Sequence, residues 1–168
     1  GTGGAYRFAA DDIRETTVVF NGDILTDFDI GSFVERHKQL GSAATLALKP
    51  VENPSAYGLV ETDSESRILR FLEKPSEDEI ERLKINTINA GIYVLEPEIL
   101  DLMPLGENRS FEYDVFPEIL KRKMPFYAGI MTIEYWRDIG TPASYLAAHQ
   151  DFLRGEIRGF DIDRSDLS

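Results

Sequence analysis

Cysteine is absent from the chain, which excludes disulfides, thiolate zinc sites and a thiol nucleophile and fits a reducing compartment. Cations are also in short supply, with 18 Lys and Arg against 30 Asp and Glu and a net charge of -12. Binding along a nucleic-acid backbone needs clustered Lys and Arg, and here they are scattered, so nucleic acid is not an expected partner. An anionic ligand would have to be met by local cations or a metal. No apolar run approaches the roughly 18 residues of a membrane-spanning helix, and Gly1 to Asp12 lack the basic and apolar regions of a secretory signal. No membrane association is expected, and the cytoplasm is the expected compartment. Internal repeats and low-complexity tracts are missing too.

What is present suits one substantial core: 168 residues, 42% of them hydrophobic and 29% charged. Gly1-Thr2-Gly3-Gly4-Ala5 reads as a loop from the middle of a domain, so the chain is expected to be N-terminally incomplete. Residues 1–155 are expected to form the core and the polar stretch 156–168 a tail or linker.

Thr17 to Phe20 is β-branched, apolar and bounded by Asn21-Gly22, which predicts a buried strand. A helix follows, capped by Asp29, with Ile30, Phe33, Val34 and His37 on one face and Gly41 closing it. Ala43 to Leu48 completes a β-α-β unit with parallel strands. Gly58 to Thr62 and Arg67 to Glu73 flank the polar turn 63–66 and should pair antiparallel. Ser76 and Glu79 form a capping box, and Thr87 to Leu95 is a long strand interrupted by Ala90-Gly91. Pro97 opens a short helix, Asp114 to Lys123 a longer one, and Phe126 to Ile133 is the last strand. Thr141-Pro142 starts the final helix, whose apolar face comprises Tyr145, Leu146, His149, Phe152 and Leu153.

Asp23 and Asp138 each follow an apolar strand as it breaks into a loop. Loops at the carboxyl ends of strands line the ligand crevice of an open α/β sheet, so these acids can meet in space and share a divalent metal. Mg²⁺ is commonly held by one or two carboxylates, with phosphate oxygens and water completing its shell, which points to phosphate chemistry. The plainer readings are a turn at Asn21-Gly22-Asp23 and a helix start near Asp138. Glu73 could accept hydrogen bonds from sugar hydroxyls and Lys74 could meet a phosphate, or both could mark a solvated strand end. Asn89 with Gly91 suits a sugar or a bulged strand, and Tyr57-Gly58 suits close backbone approach or a simple turn. Asp27-Phe28-Asp29 matches the D-x-D of many metal-dependent glycosyltransferases, although Asp29 is also the expected cap. His37 and His149 lie on apolar helix faces, where a core or boundary role is expected.

The ordered set of Gly1-Thr2-Gly3-Gly4-Ala5, Asn21-Gly22-Asp23, Tyr57-Gly58, Phe71-Leu72-Glu73-Lys74-Pro75, Ile88-Asn89-Ala90-Gly91-Ile92-Tyr93 and Trp136-Arg137-Asp138-Ile139-Gly140-Thr141 resembles the sugar-phosphate nucleotidyltransferases. Its details are most similar to the mannose-1-phosphate guanylyltransferase branch. The resemblance implies an α/β, Rossmann-like, mixed and largely parallel sheet flanked by helices. It also implies transfer of a nucleotidyl group, GTP favoured, to a sugar 1-phosphate, mannose 1-phosphate favoured, with release of pyrophosphate. Under it Asp23 and Asp138 match the metal-binding acids and Lys74 the residue facing the sugar phosphate. Gly3 and Gly4 match the segment approaching the base, and Gly58, Glu73 and Asn89 match sugar contacts. Tyr57, Gly91 and Trp136 fall within the same motifs. Mg²⁺ or another divalent cation is the implied cofactor, nucleoside triphosphate and sugar 1-phosphate are the implied partners, and a homo-oligomer is compatible with it.

One departure bears on activity. The family's glycine-rich G-G-x-G-T-R-L loop and following lysine, which cradle the triphosphate, do not occur in this sequence. A silent regulatory subunit that binds nucleotide sugar is therefore an alternative, as is a D-x-D glycosyltransferase.

Overall fold

The computed structural model of the protein describes residues 1–54, 57–72, 75–131 and 134–159. In chain order the elements are α1 (Thr2–Ala9), β1 (Thr17–Phe20), β2 (Ile24–Thr26), α2 (Ile30–Gln39), β3 (Ala44–Pro50), β4 (Leu59–Thr62), β5 (Ile68–Leu72), α3 (Glu77–Leu83) and β6 (Thr87–Leu95). A 3₁₀ helix (Pro97–Leu102), a wide π-type turn (Phe111–Val115), α4 (Phe116–Lys121), β7 (Phe126–Ile130), β8 (Trp136–Asp138) and α5 (Pro142–Arg154) follow.

Strand β6 organises the main sheet, whose order is β5-β4-β6-β3-β7 with β1 also paired to β6. Alternation along β6 explains why it lies in the middle: Tyr93 and Leu95 enter one apolar cluster while Ala90, Ile92 and Val94 enter the other. The first cluster is rich in aromatics, with Phe116 between Tyr93, Phe126 and Phe71 at ring separations of 5.2, 5.6 and 5.2 Å. Full burial of each such side chain stabilises the fold by about 1.5–3 kcal/mol. The second cluster lies under α2, where Phe33 is buried.

The mixed α/β architecture agrees with expectation, but its pairing is more antiparallel than expected. Strands β1 and β3 both run antiparallel to β6, which lies between them, and the adjacent parallel pair is β3 with β7. An apolar run specifies burial on both faces and carries no sign of direction, so the insertion of β6 into the β1-α2-β3 unit had no signature. The β4–β5 hairpin, the Asp29 cap and the Ser76–Glu79 capping box form as expected. Pro117 lies in the first turn of α4, but the helical segment opens earlier, at Phe111. Ser110 starts it by accepting from the backbone N–H of Glu112 and Tyr113.

Other expectations fail. Strand β1 forms but is only half-buried, with Phe20 exposed, because one of its faces borders an open groove, and the strand that opens at Phe126 is followed by β8 rather than being the last. The opening glycines are not a loop: Thr2 to Ala9 is helical, with Gly1 at its cap. Glycine disfavours a helix by about 1 kcal/mol relative to alanine, yet a Cβ at Gly4 would lie 2.6 Å from the carbonyl oxygen of Glu107. Tight packing against the 107–109 segment therefore selects glycine inside this helix, and Gly4 N–H donates to the Arg109 carbonyl at 2.9 Å. In α5 the expected apolar face points outward, with Leu146 59% and Tyr145 54% exposed and His149 exposed as well. Ala148 and Asp151 face inward instead, because the buried polar network around Asp151 sets the rotation of the helix. His37, by contrast, is fully buried, 2.8 Å from Thr45 Oγ1 and 3.0 Å from Glu96 Oε1, in the core role expected of it.

Candidate active site

A small ribbon beside the main sheet brings the two aspartates together. Strands β2 and β8 pair antiparallel with Ile24 opposite Asp138, and Ile139 N–H donates to the Asp23 carbonyl at 2.8 Å. Register thus seats Asp23 next to Asp138. Both carboxylates flank Gly140: a Cβ there would lie 3.0 Å from Asp138 Oδ1 and 3.4 Å from Asp23 Oδ2. Gly140 N–H also donates to Asp138 Oδ1 at 2.8 Å. Two carboxylates converging where glycine leaves no side chain suit a hard divalent cation that takes its remaining oxygens from phosphate and water. Among the described residues no third His, Cys, Asp or Glu joins them as a metal-binding group.

Several of the other expected site residues gather beside this pair. Gly91 adopts φ +73°, and a Cβ on it would lie 2.8 Å from Asn21 Nδ2, so glycine is needed both for the bulge in β6 and for the approach of Asn21. Asn21 N–H in turn donates to the Gly91 carbonyl at 2.8 Å. Asn89 Oδ1 accepts from Gly91 N–H at 3.0 Å, its Nδ2 donates to Tyr93 Oη at 2.9 Å, and its backbone N–H donates to the Gly58 carbonyl at 3.0 Å. Trp136 Nε1 donates to the Ala90 carbonyl at 2.9 Å, and its ring meets Tyr57 edge to face at 6.0 Å. Gly58, Asn89, Gly91, Tyr57 and Trp136 thus form one wall. Glu73 and Lys74 lie outside the described residues.

Residues 1–155 match the family described as "Nucleotidyl transferase". The chain belongs to that family. It is 37% identical over 156 residues to a mannose-1-phosphate guanylyltransferase of Mycobacterium tuberculosis, covering 92% of this chain and 42% of that protein. It is 40% identical over 150 residues to a UTP–glucose-1-phosphate uridylyltransferase of Synechocystis sp., covering 88% of this chain and 38% of that one. Among solved structures, HddC from Yersinia pseudotuberculosis complexed with GMP-PN superposes with a TM-score of 0.71 at 29% identity, covering 90% of this chain and 62% of that one. The chain spans less than half the length of the first two relatives.

Within this nucleotidyl transferase chain Gly3 and Gly4 belong to α1. They pack against Met103, Glu107, Arg109 and Val115. Their helix also borders an apolar groove of about 490 Å³ between α1 and β1, which Thr2, Tyr6, Val18, Phe20 and Asn21 help to line. Asn21 is where that groove meets the acids. The D-x-D reading loses its ligands, because Asp29 caps α2 and Asp27 is taken up by Arg158 Nε at 2.9 Å and Tyr135 N–H at 2.8 Å. The Arg158 hydrogen bond holds the Asp27 carboxyl below its usual range.

Tyr93, Glu112, Tyr135, Arg137 and Asp151 were given no role by the sequence reading, although Tyr93 and Arg137 stand within its motifs. Burial raises the Tyr93 phenol well above its ordinary value, keeping it neutral beside Asn89. Its hydroxyl is 3.4 Å from Glu112 Oε1, which extends the polar wall to the π-type turn. A tyrosine within an apolar strand reads as core, and only its contact with Asn89, four residues back on the same bulged strand, gives it a polar task. Asp151 was concealed by the apolar residues around it on α5.

Proposed function

We propose that the chain carries the acid pair and sugar-side wall of a nucleotidyltransferase that joins a nucleoside triphosphate to a sugar 1-phosphate. The observation that carries this reading is the convergence of Asp23 and Asp138 about Gly140, beside the wall of Gly58, Asn89, Gly91 and Trp136. A sugar-phosphate oxygen attacks the α-phosphorus, a new P–O bond forms, the bond to the β-phosphate bridge breaks, and pyrophosphate leaves. That oxygen is already anionic and needs no strong base, so alignment and charge neutralisation supply the acceleration. Asp23 and Asp138 would hold Mg²⁺, which when bound supplies positive charge at the α-phosphate and the departing pyrophosphate. Lys74 is assigned to the sugar phosphate and Glu73 to sugar hydroxyls. Asn89 offers its amide to the sugar, oriented by Tyr93 and Gly91, and Trp136 closes the wall against Tyr57.

Guanosine and mannose are the favoured base and sugar, in line with the guanylyltransferase named among the relatives, while uridine and glucose are the competing pair. The competing reading is a silent subunit that binds nucleotide sugar. We assign the protein to the cytoplasm on its lack of cysteine. Among the described residues no helix is long and apolar enough to cross a membrane.

The deciding experiment titrates the chain with GDP-mannose and UDP-glucose in the presence of Mn²⁺, then repeats the titration with Asp23→Asn and Asp138→Asn. Binding of one nucleotide sugar that both substitutions weaken is the expected result. Binding indifferent to both would overturn the assignment of the acids. Product formation by a longer polypeptide, in which a glycine-rich loop precedes this chain, separates the enzyme from the silent subunit.

A further inference from the structure

Asp151 is a buried carboxylate with no part in the scheme above. Its side chain is 6% exposed on α5, and its Oδ2 accepts from Tyr135 Oη at 2.7 Å and from Arg137 Nε at 2.9 Å, with Arg137 Nη2 at 2.6 Å. Arg137 Nε lies 2.9 Å from Tyr135 Oη as well, so the three side chains close a triangle. Arg154 Nη1 approaches the other Asp151 oxygen at 3.6 Å.

Alternation along an extended chain decides what this triangle controls. Tyr135 and Arg137 project to one side of β8, and Trp136 and Asp138 to the other. One side is fastened to α5 through Asp151, and the other carries the metal acid and the aromatic wall. The same helix holds the strand's end, since Ser144 Oγ donates to the Asp138 carbonyl and Thr141 caps α5 through Ser144 N–H at 3.1 Å. Tyr135 is fixed from the β2 side too, by Asp27 Oδ1 on its N–H and by Thr26 Oγ1 on its carbonyl at 2.7 Å. Sequestering a carboxylate from water costs several kcal/mol unless it is met by charged donors in good geometry, and here a forked guanidinium and a phenol meet it. An apolar residue would fill the position more cheaply, so what the carboxylate adds is orientation.

We infer that Asp151 is a positioning residue, which through Arg137 and Tyr135 locks β8 so that Asp138 meets Asp23 at the metal position. The inference rests on the reading of Asp23 and Asp138 as the metal pair. Partners that orient metal ligands typically contribute 10-fold to 100-fold to metal affinity.

The test is titration of the chain with Mn²⁺ alone, followed by electron paramagnetic resonance, with thermal melting in parallel. Asp151→Asn, which keeps the shape and removes the charge, is expected to weaken Mn²⁺ binding about tenfold, and Arg137→Gln to do the same. Added to Asp138→Asn, Asp151→Asn should weaken binding no further, because it acts through that ligand. Ala148→Gly, a destabilising change in the buried face of the same helix, is expected to lower the melting temperature with Mn²⁺ affinity unchanged. If Ala148→Gly weakens Mn²⁺ as much as Asp151→Asn does, the effect is mere loosening of α5 and the inference is overturned. Unaltered affinity in Asp151→Asn, while Asp138→Asn weakens binding, overturns it while sparing the metal pair. Unaltered affinity in both Asp23→Asn and Asp138→Asn overturns the metal pair and this inference with it.

Discussion

The ribbon of β2 and β8 and the groove between α1 and β1 adjoin at Asn21, yet they are built on opposite principles. In the ribbon polar groups are spent on one another: Asp27 on Arg158 and Tyr135, Asp151 on Arg137, and the Trp136 indole on the Ala90 carbonyl. The groove is apolar, its lining includes no Lys or Arg, and the buried Tyr6 hydroxyl has no hydrogen-bond partner among the described residues. Phe20 stands 44% exposed at its margin. The contrast shows where this chain can fix charge in space. Preorganised carboxylates need a rigid polar frame, which the ribbon supplies, whereas the groove offers shape and apolar surface with nothing to neutralise a phosphate.

The largest effects should therefore come from the ribbon. In a longer polypeptide that carries this chain behind a glycine-rich loop, Asp23→Asn or Asp138→Asn should lower nucleotidyl transfer by on the order of 10² to 10³, measured as pyrophosphate release. The 168-residue chain itself, mixed with GTP, mannose 1-phosphate and Mg²⁺, should release no appreciable pyrophosphate, because neither groove nor ribbon can hold the triphosphate in line. Robust turnover by that chain would erase the contrast and reveal a second phosphate cradle.

Next in size are the two glycines that let segments approach. Gly4→Val would set a Cβ 2.6 Å from a backbone carbonyl, and overpacking of this kind costs about 1–3 kcal/mol. Gly91→Ala adds positive-φ strain to a contact with Asn21 at 2.8 Å. Urea unfolding should show destabilisation in both, but only Gly91→Ala should also weaken nucleotide-sugar binding, since Asn21 and Asn89 are its neighbours. Equal loss of binding in both would place Gly4 at the site.

These outcomes bear on what the sequence made legible. Local signals survived: the Asp29 cap, the Ser76–Glu79 box and the bulge at Ala90-Gly91 are written in a few adjacent residues and read correctly. Asp23 and Asp138 meet as expected, but through the antiparallel β2–β8 ribbon, in which Asp138 is itself the last residue of β8 rather than part of a loop, and no local signal announced that pairing. Strand direction was not legible either, since β6 between β1 and β3 looks the same run either way. The helix at Thr2–Ala9 was missed because its glycines answer to a contact with residues more than a hundred positions away. Asp151 was missed for a similar reason. On α5 the apolar residues outnumber it, and a single buried charge with partners on β8 overrides their pattern.

Acid sensitivity gives a smaller and more selective probe of the ribbon. Hydrogen bonding from Arg158 lowers the Asp27 carboxyl in the folded chain. A depressed folded value means that the stabilisation is fully present above the unfolded value of about 3.9 and is lost as pH falls through the folded one. Melting temperature should therefore decline as pH drops below about 4, and Asp27→Asn should flatten that part of the profile while costing stability at pH 7. An unchanged acid limb would mean that Asp27 contributes shape and no linked charge.

The smallest effect belongs to the groove. The Tyr6 hydroxyl is buried with no hydrogen bond among the described residues, and burial raises its pKa. The Thr17 side chain offsets part of that rise as a hydrogen-bonding neighbour, although no hydrogen bond of ordinary geometry joins it to Tyr6. Removing an unsatisfied buried hydroxyl while keeping the ring relieves its desolvation penalty, a cost of about 1–3 kcal/mol in a fully buried setting and less here, where the groove is open on one side. Tyr6→Phe should thus be neutral or stabilising by up to about 1 kcal/mol in urea unfolding, whereas Tyr135→Phe, which strips a donor from Asp151, should destabilise. A loss of stability in Tyr6→Phe as large as that in Tyr135→Phe would show that the groove's hydroxyl has a polar partner and that the two regions are less different than their linings imply.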